Sequence, residues 1–81
     1  MGRKVLPVMA LNYEAFCACI EQNVKVVYVD MEVYKTSFAK IMQKLEENGY
    51  DSKGYPARRG VFFAQGIDLW ECEISDPCRL F

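Results

Sequence analysis

Histidine is absent from this 81-residue chain, which removes the side chain that most often serves as a general base. Without it, no Ser–His or Cys–His pair is available to activate a nucleophile. The glycine-rich motifs that hold phosphates or dinucleotides are also missing. We therefore predict that the protein is not an enzyme and that it uses no cofactor.

Long apolar segments are missing as well. No stretch reaches about 18 uncharged apolar residues, the length that suggests a membrane-spanning helix. The region behind the basic residues Arg3 and Lys4 is interrupted by Pro7 and Asn12, which is unlike a signal peptide. We expect no membrane association and a cytoplasmic location.

The four cysteines do not follow a metal-binding spacing. Cys17 and Cys19 lie on a predicted helix, about 200° apart around its axis, and a proline separates Cys72 from Cys78. Without a targeting signal, reduced thiols are favoured over disulfides. We expect Cys17 and Cys72 to be small buried core residues, and we predict no metal site.

The composition is that of a folded domain, with 52% hydrophobic and 26% charged residues. Its length predicts a single domain over residues 1–81. A chain of this size buries only about 60% of the surface that its unfolded form exposes, so a partner or a homo-oligomer contact would add useful stability. The net charge of −1 argues against a broad positive field for non-specific nucleic-acid binding.

The clearest structural signal is a strand followed by a helix over Val24–Gly49. Val24–Tyr34 is apolar on both faces over its first half, as in a central strand that is covered on both sides. Thr36 or Ser37 is expected to cap the following helix. The apolar stripe of this helix is expected to consist of Phe38, Ile41, Met42 and Leu45. That helix is expected to end at Asn48–Gly49, where glycine suits a left-handed cap.

A first helix is predicted ahead of this unit. Asn12 is its expected N-cap, and the helix is expected to end at Gln22–Asn23. Its apolar stripe has the spacing of one helical face. The residues of this stripe are Tyr13, Phe16, Cys17 and Ile20.

Three further strands complete the predicted fold. Lys4–Met9 is expected at an edge, because Pro7 cannot donate to a ladder. Val61–Gln65 and Ile67–Ser75 are expected to form a hairpin that turns at Gly66, the alternative being one bent strand with a glycine bulge. The result is an α+β domain in the order (β)αβαββ, a three- to four-stranded mixed sheet with two helices. A right-handed crossover would make Val61–Gln65 parallel to the central strand, and the alternative is an antiparallel arrangement.

The polar connection over residues 50–60 is the first candidate site. It combines aromatic and basic side chains, which suit protein-interface anchors or stacking on bases with phosphate contacts. The candidate residues are Tyr50, Lys53, Tyr55, Arg58 and Arg59.

A second candidate is the acidic face of the last predicted strand, with Glu71, Glu73 and Asp76. The aromatic content, 14% of the chain, exceeds what so small a core needs, so some rings should be partly exposed. The expected ones are Tyr34, Tyr50, Tyr55 and Phe81.

Together these features predict a small non-enzymatic binding protein that regulates or inhibits another macromolecule, most simply a protein, through an exposed surface. Small accessory proteins of phages and mobile elements share this general character. The alternative is a nucleic-acid or nucleotide-binding module that uses the basic and aromatic loop over residues 50–60.

Overall fold

The computed structural model describes residues 3–67, 72–74 and 79–80. Within these ranges, seven strands and three helices follow one another. Their bounds are β1 Arg3–Val5, β2 Val8–Ala10, α1 Tyr13–Glu21, β3 Val26–Asp30, α2 Met31–Thr36, α3 Phe38–Glu47, β4 Tyr55–Pro56, β5 Gly60–Ala64, β6 Cys72–Ile74 and β7 Arg79–Leu80. Five strands form a mixed sheet in the order β4-β5-β3-β2-β7, and β1 pairs with β6 separately. The protein is a small α+β domain, as predicted.

Strand β3 is the centre of the larger sheet. It pairs with β2 in parallel and with β5 in antiparallel orientation. The predicted central position is therefore confirmed, and the antiparallel alternative for β5 replaces the parallel arrangement, which is wrong. The connection after α3 runs back along the sheet, so that Gly60 lies opposite Asp30 and β5 starts where β3 ends.

The N-terminal region forms two strands, and the predicted single edge strand over Lys4–Met9 is wrong. The break falls at Leu6 and Pro7, and Pro7 is fully buried there. Because Pro7 lies between the strands, its missing N–H removes no bond from a ladder. Strand β2 can therefore lie inside the sheet, between β3 and β7.

The predicted extension of the central strand to Tyr34 is also wrong, because the chain becomes helical at Met31. The carboxylate of Asp30 accepts the backbone N–H of Glu32 at 3.1 Å, which satisfies a donor at the start of α2. Ser37 then separates α2 from α3 without a side-chain capping bond. The structure therefore has three helices in its described part, where the sequence predicted two.

The C-terminal part differs most from the prediction. Strand β6 pairs in parallel with β1, so the predicted hairpin between Val61–Gln65 and Ile67–Ser75 is wrong. Residues 68–71 and 75–78 lie outside the described residues. A pattern of alternating residues shows that a strand exists, but it does not identify the strand's partner.

Helix α1 begins as predicted. The side-chain oxygen of Asn12 accepts the backbone N–H of Ala15 at 2.7 Å, and the chain leaves the helix through Asn23 at φ 54°. Its buried face consists of Phe16, Cys19 and Ile20. None of the helices in the described ranges is long and apolar enough to cross a membrane.

All three helices pack on one face of the sheet. Val27 and Val29 of β3 and Phe63 of β5 form the sheet side of this core, and each is fully buried. Ile41 and Leu45 of α3 meet them from the helical side. Burying side chains of this size stabilises the fold by about 1.5–3 kcal/mol each, so this layer holds the surface loops in place.

Candidate binding surface

The loop that follows α3 is held by backbone hydrogen bonds along its length. The N–H of Asp51 donates to the Ala64 carbonyl at 2.9 Å, and the N–H of Ala57 donates to the Gly60 carbonyl at 2.9 Å. The Arg59 carbonyl accepts the N–H of Met31 at 2.8 Å, which ties the loop to the start of α2. The loop is therefore hydrogen-bonded to β5 and to the start of α2.

This fixed loop presents three exposed cations, Lys53, Arg58 and Arg59. None of the three forms an ion pair within the described ranges. The carboxylate of Asp51, the loop's acid, accepts the N–H of Lys53 at 2.9 Å. The loop therefore offers positive charge to solvent from a defined backbone, an arrangement that suits binding of anionic groups.

Tyr55 places the loop next to a row of large side chains on the sheet. It pairs with Phe62 across β4 and β5, Phe62 pairs with Tyr28, and Tyr28 pairs with Met9. Directly paired residues project to the same face of a sheet, and this face is opposite to the helices. The rings of Tyr28 and Phe62 are 5.0 Å apart, and all four side chains are partly buried.

Tyr50 does not belong to this surface, and its predicted exposure is wrong. Its side chain is only 5% exposed, and its hydroxyl donates to the Val24 carbonyl at 2.7 Å. Burial, with a smaller contribution from Cys19, raises the pKa of Tyr50 to about 12. Gly49, at φ 76°, turns the chain so that the next side chain enters the core.

Tyr50→Phe should make the protein less sensitive to alkaline pH. The raised pKa means that the neutral phenol stabilises the fold below pH 10, the ordinary value, and that this contribution is lost as the pH rises toward 12. The variant should be about 1 kcal/mol less stable at neutral pH, because it lacks the hydrogen bond to Val24. Urea unfolding at several pH values measures both effects. An equal decline of both proteins above pH 10 would contradict this assignment.

The acidic candidates fall mainly outside the described residues. Glu71 and Asp76 lie outside the described residues. Glu73 is in β6, opposite Lys4 of β1, where the structure describes the backbone. Their part in binding stays a prediction.

The prediction that Cys17 is a buried core residue is wrong. Cys19 is fully buried and Cys17 is only partly buried, and both are free thiols. Burial raises the pKa of the Cys19 thiol, which disfavours the reactive thiolate. Cys17 lies beside Tyr13, whose pKa is raised mainly by a hydrogen bond to that thiol. The side chain of Cys72 is outside the described part.

The sequence did not reveal the exposure of Phe38. It was expected in the apolar stripe of the second helix, but 48% of its surface is exposed. Its ring meets the ring of Tyr34 edge to face, with centroids 5.3 Å apart. Tyr34 is partly exposed, as the sequence predicts, and Phe81 lies outside the described residues. The signal that could have indicated the exposure of Phe38 is the group of basic residues near it in the sequence.

Comparison with known proteins adds no functional information. No family model, no curated protein and no solved structure is detectably similar to this chain.

Proposed function

We propose that this protein is a non-enzymatic binding protein that regulates or inhibits another macromolecule, and that it binds through the loop carrying Lys53, Arg58 and Arg59. The observation that carries the proposal is three exposed cations, which form no ion pair among the described residues, on a loop that is hydrogen-bonded to its neighbours. Such a surface binds with little ordering cost, because its backbone is already fixed.

The chemistry of the loop favours recognition over catalysis. Arginine offers five donors in a planar fork that matches carboxylates, and arginine and tyrosine are enriched among the residues that dominate binding energy at protein interfaces. Tyr55 lies beside the cations at the sheet edge. A protein partner with acidic groups is the simplest match to this set.

Replacing Arg58 and Arg59 together by alanine should weaken partner binding at least about tenfold, because hydrogen bonds to charged groups contribute about 1.5–3 kcal/mol each. Both side chains are exposed, so the fold should be retained. Capture of partners from a host lysate, followed by quantitative mass spectrometry, compares the variant with the wild type.

The matched control is the double variant Lys25→Ala, Lys44→Ala. It removes the same charge at the other end of the sheet, where Gln65 links Asn23 to the end of α3. We expect the control to capture the same partner as the wild type. Equal loss in both double variants would show that only net charge matters, and the loop would no longer be the binding site.

The second candidate function is binding of nucleotides or single-stranded nucleic acid. It is favoured by the row of Tyr55, Phe62, Tyr28 and Met9 beside the basic loop, because bases stack on aromatic side chains. A fluorescent oligonucleotide titrated at two salt concentrations tests it. Affinity should fall steeply with salt, and absence of binding at low salt would exclude this candidate.

A further inference from the structure

The positive charge of this chain is concentrated in two stretches. Residues 33–45 and residues 52–60 each contain three basic residues and no acidic residue. The six residues are Lys35, Lys40, Lys44, Lys53, Arg58 and Arg59. The rest of the chain holds four basic and eleven acidic residues, a net charge of −7. The protein therefore has strongly segregated charge despite its net charge of −1.

Phe63 brings the two stretches together. A side chain built on Gly54, in the loop, would lie 3.0 Å from the Phe63 ring, so the loop backbone packs against that ring. The ring of Tyr34, in α2, has its centroid 6.0 Å from the same ring. The hydrogen bond between Met31 and the Arg59 carbonyl makes a second link. The loop and α2 are thus neighbours on the surface.

Phe38 adds an exposed aromatic anchor to this region. It is the first residue of α3, separated from α2 by Ser37, and the edge-to-face contact with Tyr34 fixes the position of its ring. An exposed aromatic side chain bordered by cations resembles the anchors of protein interfaces. Lys40 is directed elsewhere, since its ammonium lies 5.6 Å from the centre of the Tyr13 ring.

We infer that one continuous surface, named here the Phe38 surface, binds an acidic protein segment that places an apolar side chain against Phe38. The surface consists of Tyr34, Lys35, Phe38, Lys53, Arg58 and Arg59. This inference rests on the proposed function and extends it, because it adds an apolar anchor from α2 and α3 and states the chemistry of the partner.

Charge distribution favours a short acidic protein segment over a long polyanion. Beyond the two basic stretches the chain is net negative, so an extended nucleic acid would meet like charge outside the surface. The acids at the border are mostly engaged, since Asp30 and Asp51 accept backbone hydrogen bonds. Glu32 is an exposed acid at this border. Because it carries the same charge as the acidic partner, it favours a partner segment that ends near the start of α2.

Panning a display library of short random peptides against the full chain tests the inference. Enriched peptides should be rich in Asp and Glu and should carry an aromatic or large aliphatic residue. Phe38→Ala should weaken their affinity at least about tenfold, the change that 1.4 kcal/mol produces. Lys35→Glu, a second exposed position, should weaken it too. Fluorescence anisotropy measures each affinity.

Leu11→Ala is the control, because Leu11 is 55% exposed and lies outside the Phe38 surface. It should bind the peptides as the wild type does. Neutral or basic binders, no enriched binder, or acidic binders that ignore Phe38→Ala would each overturn the inference. If Arg58→Ala, Arg59→Ala abolishes partner capture while Phe38→Ala does not, the proposed function stands and this extension fails.

Discussion

Gly60→Ala is expected to destabilise the protein by about 3 kcal/mol or more, a large share of the stability of a small domain. A methyl group at this position would overlap the backbone carbonyl oxygen of Val29 in the adjacent strand. It would also lie 2.8 Å and 2.9 Å from the ring carbon and the hydroxyl of Tyr28 that face it. The backbone oxygen cannot move without separating β3 from β5. Thermal and urea unfolding measure the loss.

Gly49→Ala gives the comparison for this prediction. Gly49 has a positive φ of 76°, but no atom of the described residues lies within 4 Å of an added methyl group, so the expected cost is the backbone strain alone, about 1–2 kcal/mol. In a domain of this size, each kcal/mol lowers the melting temperature by about 4–8 °C. If Gly60→Ala were no less stable than Gly49→Ala, the close packing at the start of β5 would be refuted.

Helix ends were predictable because their signals are local. Asn12 caps α1 and Gly49 follows the end of α3, as expected from their side-chain and backbone chemistry. Strand partners were not predictable, because pairing depends on contacts between distant residues. The pairing of β6 with β1 joins opposite ends of the chain, and no local pattern in either strand indicates it.

The helix α2 was missed because two patterns overlap at its start. Asp30, Met31, Glu32 and Val33 alternate between polar and apolar residues, which predicts a strand. The same segment places an acid, Asp30, where it caps a helix. Met31, Tyr34, Phe38, Ile41 and Leu45 are spaced by three and four residues. That longer period is typical of a helix, and the residues that follow it form α2 and α3 in the structure.

The candidate site was predictable in its charges and not in its aromatic residues. Lys53, Arg58 and Arg59 are exposed, as expected for basic residues in a polar loop. The predicted exposures of Tyr50 and Phe38 are the reverse of those in the structure, since Tyr50 is buried and Phe38 is exposed. Aromatic side chains suit both environments, so backbone turns decide the outcome. The turns at Gly49 and Ser37 could not be placed in three dimensions from the sequence.

Phe63→Ala should be the most destabilising truncation of a core residue near the candidate surface, at about 3–5 kcal/mol. Phe63 is fully buried, and its ring contacts both Gly54 of the loop and Tyr34 of α2. The cavity left by the missing ring would therefore lie beneath the loop residues and the α2 residues of the Phe38 surface. Urea unfolding should show a lower midpoint for the variant.

The neighbouring residue provides the control, because Phe62 has the same side chain but is only partly buried on the other face of β5. Phe62→Ala should cost clearly less than Phe63→Ala, since fewer of its atoms leave a cavity in the core. A third variant, Phe63→Leu, separates structure from binding. Phe63→Leu, which retains most of the volume, should keep the fold while loosening the contact of the loop with α2, and should weaken acidic peptides. If Phe63→Leu bound these peptides as the wild type does, then Phe63 would stabilise the fold without positioning the surface.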